Sequence, residues 1–142
     1  ITFDRKGPFM RMNLPSGRSL HYVRPRIEDT LMPWGETKPS ITYEGLNDRK
    51  QWARQSTHPG KVTENADQAI ARDILAHGLI LAHKEGIRIP LHVHDQIVGR
   101  VSVTEAEEKL QILKECMSVV PTWAKGLPLG VAGHTTPIFI KD

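Results

Sequence analysis

Apolar positions recur along this chain with two different periods, and the change of period predicts its elements. Phe9-Met10-Arg11-Met12-Asn13-Leu14 alternates roughly, Pro15-Ser16-Gly17 turns, and Ser19-Leu20-His21-Tyr22-Val23 returns. This predicts a β-hairpin over residues 9–24. Residues 25–40 hold Pro25, Pro33, Gly35 and Pro39 and read as an irregular loop. Ile41-Thr42-Tyr43-Glu44 is a short strand, and the polar stretch 45–63 reads as a loop with a short helical turn. The period then shifts to that of a helix. Over residues 64–83, Ile70, Ile74 and Leu81 line one stripe and Ala71, Leu75 and Leu79 the next. Two adjacent stripes make a broad apolar face, so this helix is expected to be largely buried. Gly86 supplies its C-terminal stop.

Ile87–Val93 and Gln96–Val103 follow as paired strands. Thr104 and Glu107 have capping-box spacing and open a second helix running to about Val119, with Leu110, Leu113 and Met117 facing inward. Pro121 and Pro128 end it, and Thr136-Pro137-Ile138-Phe139-Ile140 is expected as a last strand. The order implies an α+β fold, an antiparallel β-sheet with two main helices packed on one face.

The chain has 142 residues, enough for one domain with a core. Apolar runs span only a few residues, which excludes a membrane-spanning helix. No signal peptide opens the chain, and its start at Ile1 suits a piece of a longer protein. Cys116 is the single cysteine, so a disulfide framework and a cysteine zinc cluster are excluded; among apolar residues on a helix it reads as a small buried hydrophobe. A reducing, cytoplasmic compartment fits. Charge is unevenly spread. Residues 1–61 hold eleven Lys/Arg against six Asp/Glu, whereas residues 62–142 hold eight against ten. The basic half suits phosphates; a solvated surface of mixed sign suits the same count.

Three polar residues interrupt the second hairpin. His92 and His94 would share a face of a strand, and a His-x-His pair suits zinc. Asp95 follows His94 directly, however, and no further cluster of His or Cys accompanies the pair. A tight turn at His94-Asp95 lifts a carboxylate from an apolar base, which suits Mg²⁺ held by one or two carboxylates and substrate phosphates. A plain polar hairpin turn has the same local pattern. On the first helix Gln68 and Arg72 are four apart and share a face with Glu64, flanked by Asn65 and Asp73. Such a polar stripe is either solvated or turned toward a nucleic-acid backbone or minor groove. Arg54 and Lys61 lie just upstream as candidate phosphate contacts.

Two blocks together carry a resemblance. Lys61-Val62-Thr63-Glu64-Asn65-Ala66-Asp67-Gln68-Ala69-Ile70-Ala71-Arg72-Asp73 and His92-Val93-His94-Asp95-Gln96-Ile97-Val98 resemble the C-terminal region of family A DNA polymerases, the DNA polymerase I-like enzymes. Leu14-Pro15-Ser16-Gly17-Arg18, Trp123-Ala124-Lys125-Gly126-Leu127-Pro128-Leu129 and Lys141-Asp142 are similar to the phage and prophage branch. The resemblance covers nearly the whole chain and implies its palm subdomain. Residues 1–63 would be a basic hairpin and loop region bordering the fingers, and residues 64–142 the palm helix, metal-site hairpin, C-terminal helix and strand.

The resemblance assigns roles residue by residue. Asp95 matches the carboxylate that binds the catalytic Mg²⁺, of which the complete enzyme uses two ions. His94 matches the histidine near the primer terminus, and Gln68 a glutamine facing the template–primer duplex. Lys61 and Arg54 fall in the stretch where DNA backbone contacts are expected, and Arg72, on the same helix as Gln68, is a further nucleic-acid-binding candidate to which the resemblance gives no set role. Gln96 departs from the pattern: the family usually has Glu there, and an amide cannot be an anionic ligand. The first-motif Asp and the fingers helix that grips the nucleotide have no match in this sequence. The implied parent is a DNA-directed DNA polymerase acting on primer–template DNA and deoxynucleoside triphosphates, with its upstream part elsewhere in the same chain. The isolated 142-residue chain is expected to be inactive and capable of homodimerising. A non-catalytic nucleic-acid-binding prophage remnant is the alternative that Gln96 and the missing motifs motivate.

Overall fold

The structure is a computed structural model that describes residues 1–31 and 33–139. The chain forms two compact units, Ile1–Ile70 and Ala71–Asp142.

The first unit is an antiparallel meander of five strands, β1 (Thr2–Lys6), β2 (Phe9–Asn13), β3 (Ser19–Leu31), β4 (Thr37–Leu46) and β5 (Trp52–Thr57), in that order across the sheet. Helix α1 (Pro59–Lys84) follows, and its first turns belong to this unit. Met10 opposes Tyr22 and Met12 opposes Leu20 across β2 and β3, so one face of the hairpin is apolar. Met12, Leu14 and Tyr22 are buried against Ala66 and Ala69 of α1, whose small side chains admit close approach. Tyr22 meets Tyr43 edge to face at 5.2 Å, and its hydroxyl accepts a bond from Asn65 Nδ2 at 3.1 Å. The opposite face is polar: Arg11 makes a two-point ion pair with Asp4 (2.7 and 2.8 Å), and Asn13 Nδ2 donates to the same carboxylate.

In the second unit the rest of α1 meets β6 (Arg88–Val93), β7 (Gln96–Arg100) and α2 (Ala106–Ser118). Ala82, Ile87 and Cys116 form its buried centre, joined by Leu81, Ile89, Ile112 and Leu113. Gly78 permits the helix crossing, because a Cβ there would lie 3.3 Å from Met117 Cα. Gly86, at φ +74°, ends α1 as predicted: its N–H donates to His83 O and the Ile87 N–H to Ala82 O.

The α+β class and the antiparallel pairing are as expected, with the strands divided between two sheets. Several local expectations fail for physical reasons. Residues 25–40 are mostly strand, not loop. Pro25 sits at a bulge where the β3–β4 register shifts between Val23 and Arg26, and Pro39 lies on β4 before β5 joins it at Ile41. Proline is tolerated in a sheet at such places. Residues 45–63 likewise contain β5, an edge strand with little alternation, and the start of α1. The helix begins at Pro59, where His58 Nδ1 accepts the Lys61 N–H at 3.3 Å and a first-turn proline forfeits no bond. Strand β7 stops at Arg100 rather than Val103, because its partner starts only at Arg88. The Thr104–Glu107 capping box is absent: Thr104 lies within a 3₁₀ turn, Val103–Glu105, and α2 starts after Glu105 without a side-chain cap. Ala71 on α1 is exposed, not buried. Residues 136–139 form no strand; Thr136 Oγ1 instead donates to Ile138 O, a local bond that competes with pairing. Ile140, Lys141 and Asp142 lie outside the described residues.

Candidate functional site

His94 and Asp95 are the whole loop between β6 and β7. Val93 pairs with Gln96, His92 with Ile97 and Leu91 with Val98, so the strands reach the turn in register. His94 has φ +52°, and a left-handed first residue matches the twist of a two-residue hairpin. Glycine is the easy occupant there, and histidine is one of the few side chains enriched at positive φ. Both His94 and Asp95 are exposed, whereas Gln96, Ile97 and Val98 are half-buried.

The hairpin is anchored at its base. A Cβ on Gly99 would meet Ile87 Cγ2 at 3.0 Å and Leu113 Cδ2 at 3.7 Å, so β7 lies directly on the core. At the other end Asp95 borders a cleft of about 120 Å³ lined by Ala71, Leu75, Gly78, Met117 and Leu129. Its carboxylate has no hydrogen-bond or ion-pair partner among the described residues. A carboxylate so placed, on a short turn and free of internal partners, is available to a hard cation. His92 and His94 find no third ligand: among the described residues no group of three His, Cys, Asp or Glu is arranged to hold a metal.

The other candidates lie on different elements. In the first unit, Gln68 Nε2 donates to Glu64 Oε1 at 3.1 Å, and Glu64 Oε2 accepts from Lys61 Nζ at 3.0 Å. This exposed pair three residues apart is worth only a few tenths of a kcal/mol, so it does not hold Lys61 or Gln68 against a competing ligand. Arg54 is more tightly bound. Its guanidinium meets Glu44 Oε1 (3.1 Å), Thr42 Oγ1 (3.0 Å) and Arg24 O (3.2 Å), with Glu28 at 3.9 Å. A phosphate contact by Arg54 would have to break that set. Arg72 is exposed on the part of α1 that belongs to the second unit, one turn beyond Gln68. Asn65, flanking the stripe, is committed to Tyr22 and serves the fold.

The whole chain is similar to part of a phage DNA polymerase. It is 36% identical over 142 residues to the DNA polymerase of Bacillus phage SP02, a match that covers all of this chain and 21% of that protein. The chain therefore spans about a fifth of the length of this curated relative. No family model matches the chain. No solved structure matches it either. Among the described residues no helix is long and apolar enough to cross a membrane.

Sequence reasoning did not find two features of the first unit. One is the Asp4–Arg11–Asn13 cluster, whose members become neighbours only through the β1–β2 register. The other is an exposed Leu46–Trp52 pair, brought together by a strand that the polar composition of residues 45–63 conceals.

Proposed function

We propose that this chain is the palm portion of a family A, DNA polymerase I-like DNA-directed DNA polymerase of the phage or prophage branch. Residues 1–63 would border the fingers, and residues 64–142 would carry the palm helix and the metal-site hairpin. The observation that carries the reading is the conjunction of an end-to-end similarity to a phage DNA polymerase with Asp95, a carboxylate on a two-residue turn that has no partner among the described residues.

The reaction would be transfer of a nucleotide to a primer. The 3′-hydroxyl oxygen attacks the α-phosphorus of a deoxynucleoside triphosphate, and pyrophosphate leaves. In this reading Asp95, with a second carboxylate from outside this chain and the nucleotide phosphates, would hold Mg²⁺, which would neutralise charge developing on the phosphoryl oxygens. His94 would meet the primer terminus beside it. Gln68 would hydrogen-bond the edge of the duplex, and Lys61 and Arg72 would contact phosphates. Arg54 would mainly hold β4 and β5 together through Glu44 and Thr42. Gln96, neutral and half-buried, would orient the turn without adding charge.

One carboxylate cannot clamp two ions, so the isolated chain is expected to add no nucleotides. It would need the rest of the polymerase as its partner. Alone, the outer edges of the two-stranded β6–β7 sheet would have no neighbouring strand and would favour self-association. The test is a graft. Replacing the matching segment of the phage SP02 polymerase with this chain should preserve primer extension, whereas the 142-residue chain alone should give none. A folded graft that binds primer–template yet incorporates nothing would overturn the proposal and favour a non-catalytic nucleic-acid-binding protein.

A further inference from the structure

The turn between β4 and β5 carries an assembly that the proposed reaction does not use. Leu46 and Trp52 stand directly opposite each other across the two strands, yet they are 65% and 60% exposed. Tyr43 points to the helix-covered face of this sheet, where it meets Tyr22. By the alternation of strand side chains, Leu46 and Trp52 therefore lie on the opposite face. The turn between them is closed by hydrogen bonds. Asn47 N–H donates to Gln51 O at 2.9 Å, Lys50 N–H donates to Asn47 O at 2.8 Å, and Asn47 Oδ1 accepts from the N–H groups of Arg49 and Gln51 at 3.0 Å each. This turn holds Arg49 and Lys50 exposed, and neither has an ion pair among the described residues.

We propose that Leu46, Trp52, Arg49 and Lys50 form a docking site for single-stranded nucleic acid, with a base stacked on the Trp52 indole and its flanking phosphates facing the two cations. An exposed aromatic beside unpaired cations is the combination a single strand needs, because every base has a stacking face and every link a phosphate. A duplex offers no free base face. Two adjacent cations suit a phosphate backbone better than the centre of a protein interface, which is depleted of charged residues. The acids nearby do not cancel the charge: Glu44 is occupied by Arg54 and Arg24, which leaves Asp48 as the one acid of the turn. The site deepens the polymerase reading, on which the choice of DNA as ligand rests, but it uses none of that reading's residues.

The test is fluorescence anisotropy of the full chain with labelled oligodeoxythymidine and, separately, with a blunt duplex. Trp52→Leu, which keeps an apolar side chain but removes the stacking face, should weaken single-strand binding about fivefold or more. Trp52→Tyr should restore most of it, and duplex binding should stay within about twofold throughout. Replacing Arg49 and Lys50 together by Ala should reduce the slope of log affinity against log salt by about 1.4, the value for two lost phosphate contacts on a single strand. Circular dichroism on each variant separates loss of the site from loss of the fold. Single-strand affinity indifferent to Trp52→Leu, or an equal loss on duplex, would overturn the proposal. A wild-type chain that binds duplex but not single strand would overturn this site alone; one that binds neither would overturn the DNA reading with it.

Discussion

Ile87→Ala is the perturbation that best probes how the β6–β7 hairpin is held. Ile87 joins the end of α1 to β6, is 2% exposed and packs with Ala82 and Cys116. The substitution removes three carbons from a fully buried site, which costs about 2.4 kcal/mol at about 0.8 kcal/mol per methylene. A cavity term adds to this unless neighbours relax into the gap. Leu81, Ile89, Ile112 and Leu113 pack on the same centre and can close part of the gap, whereas Ala82 ends at Cβ and Gly99, whose Cβ would lie 3.0 Å from Ile87, has no side chain. The expected total is therefore about 3–4 kcal/mol. Urea unfolding should be followed by Trp123, which lies in the second unit, in a background with Trp34→Phe and Trp52→Phe, because two units need not unfold together. Ile80→Ala is the control, since Ile80 is 57% exposed on the same helix and its loss should cost no more than about 0.5 kcal/mol. A loss below about 1 kcal/mol for Ile87→Ala would refute the packing argument and remove the rigid base assigned to His94 and Asp95.

Other consequences are simpler to check. Gly86→Ala places a side chain at φ +74° with open space around it, so only backbone strain acts and urea unfolding should show a loss of about 1–2 kcal/mol. Burial pushes the Cys116 thiol up, and Glu85 and Glu115 add to the shift. A raised folded value means stability is fully present below the unfolded thiol pKa of about 8.5 and is lost as pH rises through the folded value. Cys116→Ala should flatten that alkaline decline in urea midpoint. Asp4 shifts the other way: hydrogen bonds from Arg11 and then Asn13 hold its carboxyl below the usual range. Its contribution is present above the unfolded value and lost as pH falls through the folded one, so Asp4→Asn should blunt the acid limb of a urea-midpoint profile below about pH 5.

What was legible in the sequence was set by packing periodicity and turn chemistry. The 9–24 hairpin, the long helix, its Gly86 stop and the two-residue turn at His94-Asp95 all announce themselves, because alternation and glycine position reflect local backbone needs. The strands over residues 25–40 and 52–57 did not. Their prolines are legal only at a bulge and beside a strand that starts late, and β5 is a polar edge whose partners lie on another strand. Pairing of that kind is a tertiary fact. The candidate site divides similarly. Asp95 was readable as a tip residue flanked by apolar runs, and Gln68 and Arg72 as one helical stripe. The engagement of Arg54 with Glu44 and Glu28 was hidden, since it depends on the β4–β5 and β3–β4 registers.

The central claim is that Asp95 belongs to the chemistry of a DNA polymerase and not merely to a polar turn. Primer extension and primer–template affinity should be measured side by side for a polymerase carrying this chain, with and without Asp95→Ala. Nucleotide incorporation should vanish while affinity for primer–template stays within about twofold, because the contacts to phosphates and base edges proposed for Lys61, Gln68 and Arg72 are untouched by the substitution. Incorporation that survives the substitution, or an equal fall in both quantities, would contradict the role given to Asp95.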